Sequence, residues 1–315
     1  MNMHDICKIL GIKYPIIMGG MTLVSDSKLV AAVSNAGGLG IFATGDKAQK
    51  GGIERIRQEI KAIKSMTDKP FGVNVAMFMP NVPEIIDAVC EEGVAMITTG
   101  GGNPAPYMEQ LKAAGVKVVP VVPTVKAAIK MEQMGADMVI AEGTESGGFI
   151  GKVTTMVLVP QVTAAVKIPV IAAGGFATGR GLAAAKALGA AGIQMGTRFM
   201  VCKECGLPDT YKQQIIQSAP TDAIVEGANM PKAVPHRSMR TPAAEEVIAY
   251  EISPDADLKT YNEKFFAGRV ETTGNLDKAI LGMGQVAGLI HEELSAKDIM
   301  ESIMQEYHET VKELI

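Results

Sequence analysis

Short apolar runs alternate with amphipathic stretches through the first 200 residues. The runs are "YPIIM" (14–18), "GLGIFA" (38–43), "PFGVNV" (70–75), "VAMITT" (94–99), "VKVVPVV" (116–122), "ADMVIA" (136–141), "IPVIAA" (168–173) and "AGIQMG" (191–196). Between them lie segments with helical spacing, such as "GIERIRQEIKAIKSM", "VPEIIDAVCEEG" and "GRGLAAAKALGA", and many end in Gly, a common helix stop. Near-continuous apolar runs read as strands buried on both faces, and their alternation with helices predicts a parallel sheet. Eight such units in about 200 residues fit an α/β (β/α)8 TIM barrel. A doubly wound open sheet is the architectural alternative.

The texture changes after residue 200. The stretch "CKECGLPDTYKQQIIQSAPTDAIVEGANMPKAVPHRSMRTPAAEEV" is richer in Pro and polar residues and loses the strand rhythm. The predicted organisation is a barrel over 1–217, an irregular or helical lid inserted over its mouth at 218–276, and a return segment at 277–315. That return segment ends in the charged helix "SAKDIMESIMQEYHETVKELI".

Composition narrows the chemistry. The 315 residues carry a net charge of -4 with scattered Lys and Arg, which argues against a nucleic-acid partner. The opening mixes acidic and basic residues without a long apolar core, unlike a signal peptide, and no run of about 18 apolar residues suggests a membrane span. Four cysteines do not make a disulfide framework in so long a chain. A cytoplasmic location is therefore expected. Cys202 and Cys205 form C-x-x-C with no second pair or clustered His, so reduced thiols are expected rather than a metal site.

Active sites of such barrels lie at the C-terminal ends of the strands. Gly19, Gly20 and Met21 follow the first run, Asn74 ends the third, and Thr99 ends the fourth. Glu142 and a glycine-rich loop containing Gly148 follow the sixth, Ala173-Gly174-Gly175 ends the seventh, and Gln194, Gly196 and Thr197 close the eighth. Loops after the last two strands of a barrel commonly bind phosphate through glycine backbone N–H groups, and "AAGGFATG" and "QMGTRF" have that form. Asn74, Thr99 and Gln194 suit the edge of a heterocycle, so a flat flavin is favoured over a sugar phosphate. Glu142 and Glu145 are alternative general acids if desolvated, or else helix-capping or surface groups. None of His4, His236, His291 and His308 falls at a barrel strand end; surface or helix positions are expected for them, with His236 in the lid the most open case.

The ordered motifs "YPIIMGGM", "AGGLGI", "KPFGVNV", "GNP", "PVVPTV", "GADMVIAEG", "IPVIAAGG", "GTRF" and "MGQVAGL" closely resemble the flavin-dependent enoyl-acyl-carrier-protein reductase II and nitronate monooxygenase (2-nitropropane dioxygenase) family. "TTGGGNP" and "ESGGFIGKVTTM" bring the chain nearer to the reductase branch, which serves fatty acid biosynthesis. The resemblance implies one FMN, with NAD(P)H as co-substrate and a small-molecule or acyl-carrier-protein-bound acyl substrate. A homodimer is left open. Gly20, Met21 and Asn74 would face the flavin ring, Gly174, Gly175, Gly196 and Thr197 would hold its phosphate, and Gln285 would reach back toward the ring. Gly19, Thr99, Glu142, Gly148, Ala173 and Gln194 complete the expected cofactor-binding set.

One residue departs from the family pattern. The resembling sequences carry E-(S/A)-G-G-H-I-G in the loop after the sixth strand, and this chain has Phe149 where the histidine stands. Phenylalanine keeps planar bulk and loses acid–base capacity, so no catalytic side chain is assigned at that position. The implied activities are reduction of an enoyl thioester, nitronate oxidation, or flavin binding with an altered or lost reaction.

Overall fold

The computed structural model describes residues 5–45, 52–269 and 273–314. All eight apolar runs form parallel strands: β1 (Ile16–Met18), β2 (Gly40–Ala43), β3 (Phe71–Ala76), β4 (Met96–Gly100), β5 (Lys117–Val122), β6 (Val139–Glu142), β8 (Val170–Ala173) and β9 (Gly192–Met195). A further strand, β7 (Gly148–Phe149), interrupts the series and belongs to another sheet. The eight-stranded order is β1-β9-β8-β6-β5-β4-β3-β2, and an isolated parallel bridge between Ile17 and Leu39 joins its two ends. An open doubly wound sheet has free edges; this one closes into a TIM barrel.

Closure gives every strand two buried faces, which is why the sequence shows solid apolar runs rather than alternation. Ile17, Ile41, Met96, Ile140 and Ile171 fill the barrel interior, while Met18, Phe42, Val73, Ile97 and Ala141 pack outward against the helices. Helix α1 (Ile6–Leu10) contributes Ile6 and Leu10 to the interior cluster and so plugs the end opposite the strand C-termini. At the other end of the chain, the 19-residue helix Ala296–Leu314 buries Ile299, Met300 and Ile303. Its Glu306 accepts a hydrogen bond from the Gly179 N–H at 2.5 Å, capping the helix that begins there.

The stretch from 218 to 276 differs from the irregular or helical expectation, because it contains two strands. β10 (Ala223–Glu226) and β11 (His236–Met239) pair antiparallel, and β11 also pairs with β7. The loop after β6 thus supplies the edge of this small sheet, which places the sheet beside the barrel mouth. Its own core contains Met230, Val247, Tyr261, Phe265 and Ile280. Strands so short and polar as "HRSM" carry no alternation to reveal them; only their partners do.

Candidate active site

Strand parity decides which side chains enter the mouth. Successive side chains point to opposite faces. On β3, Val73 and Val75 face outward, so Asn74 faces in; on β9, Ile193 and Met195 face outward and Gln194 faces in. Glu142 follows the same rule on β6, where Val139 and Ala141 are outward and Ile140 is inward. Glu142, Ala173 and Gln194 fall in register across three neighbouring strands. On β4 the inward threonine is Thr98, whose hydroxyl donates to Asn74 Oδ1 at 2.9 Å. Thr99, the residue expected from sequence, turns with Ile97 to the outer face and is buried there. Asn74, Thr98, Glu142 and Gln194 therefore form a polar layer above an apolar barrel interior.

The glycines divide into two kinds. A Cβ on Gly19 would meet Gln194 Cδ at 3.2 Å, and one on Gly20 would overlap Asn74, so both glycines let the first loop close over those side chains. Gly174 and Gly175 hold φ of 91° and 87°, the left-handed region open to glycine. A Cβ on Gly174 would press on the Gly143 carbonyl at 2.8 Å, whereas one on Gly175 would find only Glu145 Cβ, at 3.7 Å. A Cβ on Gly196 would touch only Met21 Sδ at 3.5 Å, and one on Gly148 would touch nothing within 4 Å. Gly148, Gly175 and Gly196 thus present bare backbone to open space around the mouth. Backbone of that kind, beside uncharged amide and hydroxyl groups, fits a flat phosphate-bearing ring system such as a flavin.

The return segment closes this arrangement. Gly284 N–H donates to Thr197 Oγ1 at 3.0 Å, and Gln285 N–H donates to the Glu145 carbonyl at 3.0 Å. One short segment therefore ties the loop after β9 to the loop after β6.

The two mouth carboxyls have different fates. Glu145 takes three hydrogen bonds, two from the Thr155 N–H at 3.0 and 2.9 Å and one from the Thr155 hydroxyl at 2.9 Å, at the start of helix Thr155–Ala165. This is helix capping, as one of the sequence alternatives held. Glu142 is pushed up to about 7 by burial, with the Ser146 hydroxyl opposing the shift.

Phe149 lies directly across from His236 in the β7–β11 ladder, with ring centroids 5.3 Å apart in an edge-to-face arrangement. Phe265 packs against both rings, and the Arg269 guanidinium sits 5.3 Å from the Phe149 centroid. His236 is 1% exposed, which contrasts with the surface or helix position expected for it. Its Nδ1 lies 3.2 Å from Glu226, whose other oxygen accepts from the Ser238 hydroxyl. Burial and the nearby Arg269 hold the imidazole well below its ordinary pKa, so it is neutral. Arg237 fixes the root of the loop, donating from Nε to the Thr144 carbonyl at 3.1 Å and from Nη1 to the Ala223 carbonyl at 2.7 Å. His291 and His308 are exposed, and His4 lies outside the described residues.

Cys202 and Cys205 are buried free thiols; burial raises both, Cys205 to about 11. Among the described residues no group of His, Cys, Asp and Glu could hold a metal ion, and no helix is long and apolar enough to cross a membrane.

A family model described as nitronate monooxygenase matches residues 4–92 and 81–306. FabK from Thermotoga maritima superposes with a TM-score of 0.92 at 42% identity, covering 98% of this chain and 97% of its own. A (3aS,4S,5R,7aS)-5-hydroxy-7a-methyl-1-oxo-octahydro-1H-indene-4-carboxyl-CoA dehydrogenase from Rhodococcus jostii is 33% identical, covering 94% of this chain and 93% of its own. A probable nitronate monooxygenase from Staphylococcus saprophyticus is 32% identical over 96% of each chain.

Proposed function

The chain belongs to the nitronate monooxygenase family and is a flavin-dependent oxidoreductase; from that premise we propose that it binds FMN and uses NAD(P)H to reduce the carbon–carbon double bond of an enoyl thioester. The observation that carries this reading is the loop after β6. Removing a proton from a neutral nitroalkane needs a base, and the loop offers Phe149, backed by a histidine that is enclosed and neutral. Hydride addition to an enoyl thioester needs no base. The likeness to a CoA-thioester dehydrogenase supports a thioester substrate, and the likeness to FabK extends over nearly the whole chain.

FMN, when bound, supplies the hydride chemistry; the protein supplies binding, orientation and electrostatics. Gly175 and Gly196 would present backbone to the phosphate, and Asn74, Thr98 and Gln194 would meet the edge of the ring. Gly284 and Gln285 hold the two flanking loops together from above. The small sheet built from β7, β10 and β11 acts as a lid, with an acyl group carried on coenzyme A or an acyl carrier protein entering beneath it.

A second reading is favoured by the name of the Staphylococcus relative: oxidation of a nitronate, which is already an anion and needs no base. Purified flavin-loaded protein separates the two. Oxidation of NAD(P)H that depends on added crotonyl thioester supports the reductase. Oxygen uptake that depends on a nitronate and proceeds without NAD(P)H replaces it with the second reading.

A further inference from the structure

Arg269 ends the helix Leu258–Arg269 and is partly exposed. Its guanidinium lies 5.3 Å from the centre of the Phe149 ring and 5.6 Å from that of Phe265. Those rings hold the cation in place but leave its five N–H donors without an acceptor. Among the described residues the guanidinium makes no hydrogen bond or ion pair, and Nη1 is enclosed without a partner. Each of the other arginines reaches a carboxylate or a backbone carbonyl. Glu226 is the anion that acts on Arg269, but its two oxygens face Ser238 and His236. Burial pushes that carboxyl up to about 7, so near neutral pH its charge only partly offsets the guanidinium. A largely desolvated guanidinium left without acceptors is costly, and its planar fork fits a phosphate.

The neighbouring surface is apolar. Phe149 is 42% exposed, and the Phe266 ring, 5.2 Å from that of Phe265, is 53% exposed. Phe149 belongs to the loop that follows β6 at the barrel mouth. A ligand suited to this surface carries an anion beside an apolar group. The phosphopantetheine arm of coenzyme A or of an acyl carrier protein has that chemistry, because a gem-dimethyl carbon lies next to its phosphoester. A nicotinamide dinucleotide carries ribose hydroxyls beside its phosphates, and phenyl rings offer them no hydrogen bond.

We propose that Arg269 binds the phosphate of a phosphopantetheine-borne thioester, with the exposed rings of Phe149 and Phe266 packing against its pantoyl methyl groups. This rests on the enoyl-reductase reading and names the part of the substrate that the lid recognises. Arg269 touches no reacting atom, so it is a specificity-determining residue and not a catalytic one. Phe149 then has a use that needs no proton: its ring holds the cation that receives the carrier.

The test compares flavin-loaded wild-type, Arg269→Gln and Arg269→Lys proteins with crotonyl-CoA and with crotonyl-pantetheine, which lacks the phosphate. Arg269→Gln is expected to lower kcat/KM for crotonyl-CoA by roughly 10- to 100-fold, mainly through KM, as charge-assisted hydrogen bonds are lost. Its kcat/KM for crotonyl-pantetheine and its KM for NAD(P)H are expected to hold. Arg269→Lys keeps the charge without the fork and should fall between. The same loss with crotonyl-acyl-carrier-protein in place of crotonyl-CoA supports the site equally and identifies the carrier. Equal slowing with the phosphorylated and phosphate-free thioesters overturns the proposal, as does an effect confined to the KM for NAD(P)H or no effect at all. If Arg269→Gln does not fold, the ratio of the two thioesters in Arg269→Lys decides, and a ratio equal to that of the wild type overturns the assignment. Absence of thioester-dependent turnover in the wild type refutes the enoyl-reductase reading itself. Calorimetric titration with CoA then decides the site separately: absence of binding, or binding that Arg269→Gln leaves unweakened, overturns it.

Discussion

Glu142 at the barrel mouth and Glu226 in the small sheet beside it are both pushed up to about 7, and burial is the largest cause for each. Their surroundings separate them. Glu226 is 0% exposed and held by Ser238 and His236, with Arg237 and Arg269 close enough to oppose the shift. Glu142 is partly exposed and stands on the inner face of the barrel, in register with Ala173 and Gln194. A raised pKa therefore reports only desolvation; whether it becomes chemistry depends on what can reach the group. At Glu226 the carboxyl is enclosed with His236 and Ser238, on the strand pair that continues through β11 into the loop after β6.

The largest expected effect breaks the open side of this comparison. Gly196→Val fills space that now contains only Met21 Sδ nearby. The apoprotein should keep its thermal stability, while flavin affinity falls by roughly 100-fold, about 3 kcal/mol. Flavin retained after gel filtration measures this, and full retention would show that the cradle is not the phosphate position. Next in size, Glu226→Ala strands the His236 and Ser238 groups without their buried partner and should cost about 2–4 kcal/mol. Chemical denaturation reads that loss, and Glu226→Gln, which keeps an acceptor, should cost less.

A smaller effect concerns pH. Both carboxyls have folded-state pKa values above their ordinary ones, so the native state holds protons that the unfolded chain has released. Their contribution is complete below about 4.5 and is lost as pH rises through about 7. Glu226→Gln should flatten part of that fall, and the additional Glu142→Gln change the rest; a slope unaltered in both would mean neither group titrates as described. The smallest effect is expected from Phe149→Ala. The ring is 42% exposed, so losing its contacts with His236 and Phe265 should cost only about 1 kcal/mol. Hydrogen exchange at Gly148 and Ile150 would show whether that cost falls on the β7–β11 pairing.

Much of the barrel was legible because each strand is a solid apolar run punctuated by glycine. The same solidity hid the parity of β4. With both faces buried, "VAMITT" gives no alternation by which to choose between Thr98 and Thr99, and the hydrogen bond from Thr98 to Asn74 settles it. Asn74 and Gln194 were easier, since each is a lone amide within an apolar strand. His236 was beyond reach, because its meaning lies in pairing with a residue 87 positions earlier in the chain.

The sequence by itself determined the eight-unit barrel, the glycine-rich strand ends and the departure at Phe149, all of which follow from local periodicity and residue chemistry. Tertiary structure alone decided which carboxyl is bound and which is left available. It also brought a histidine to the back of Phe149 and let Gly284 and Gln285 bridge two loops. Those outcomes depend on contacts between distant segments, and a linear pattern does not encode which buried polar atom finds a partner once the chain has closed.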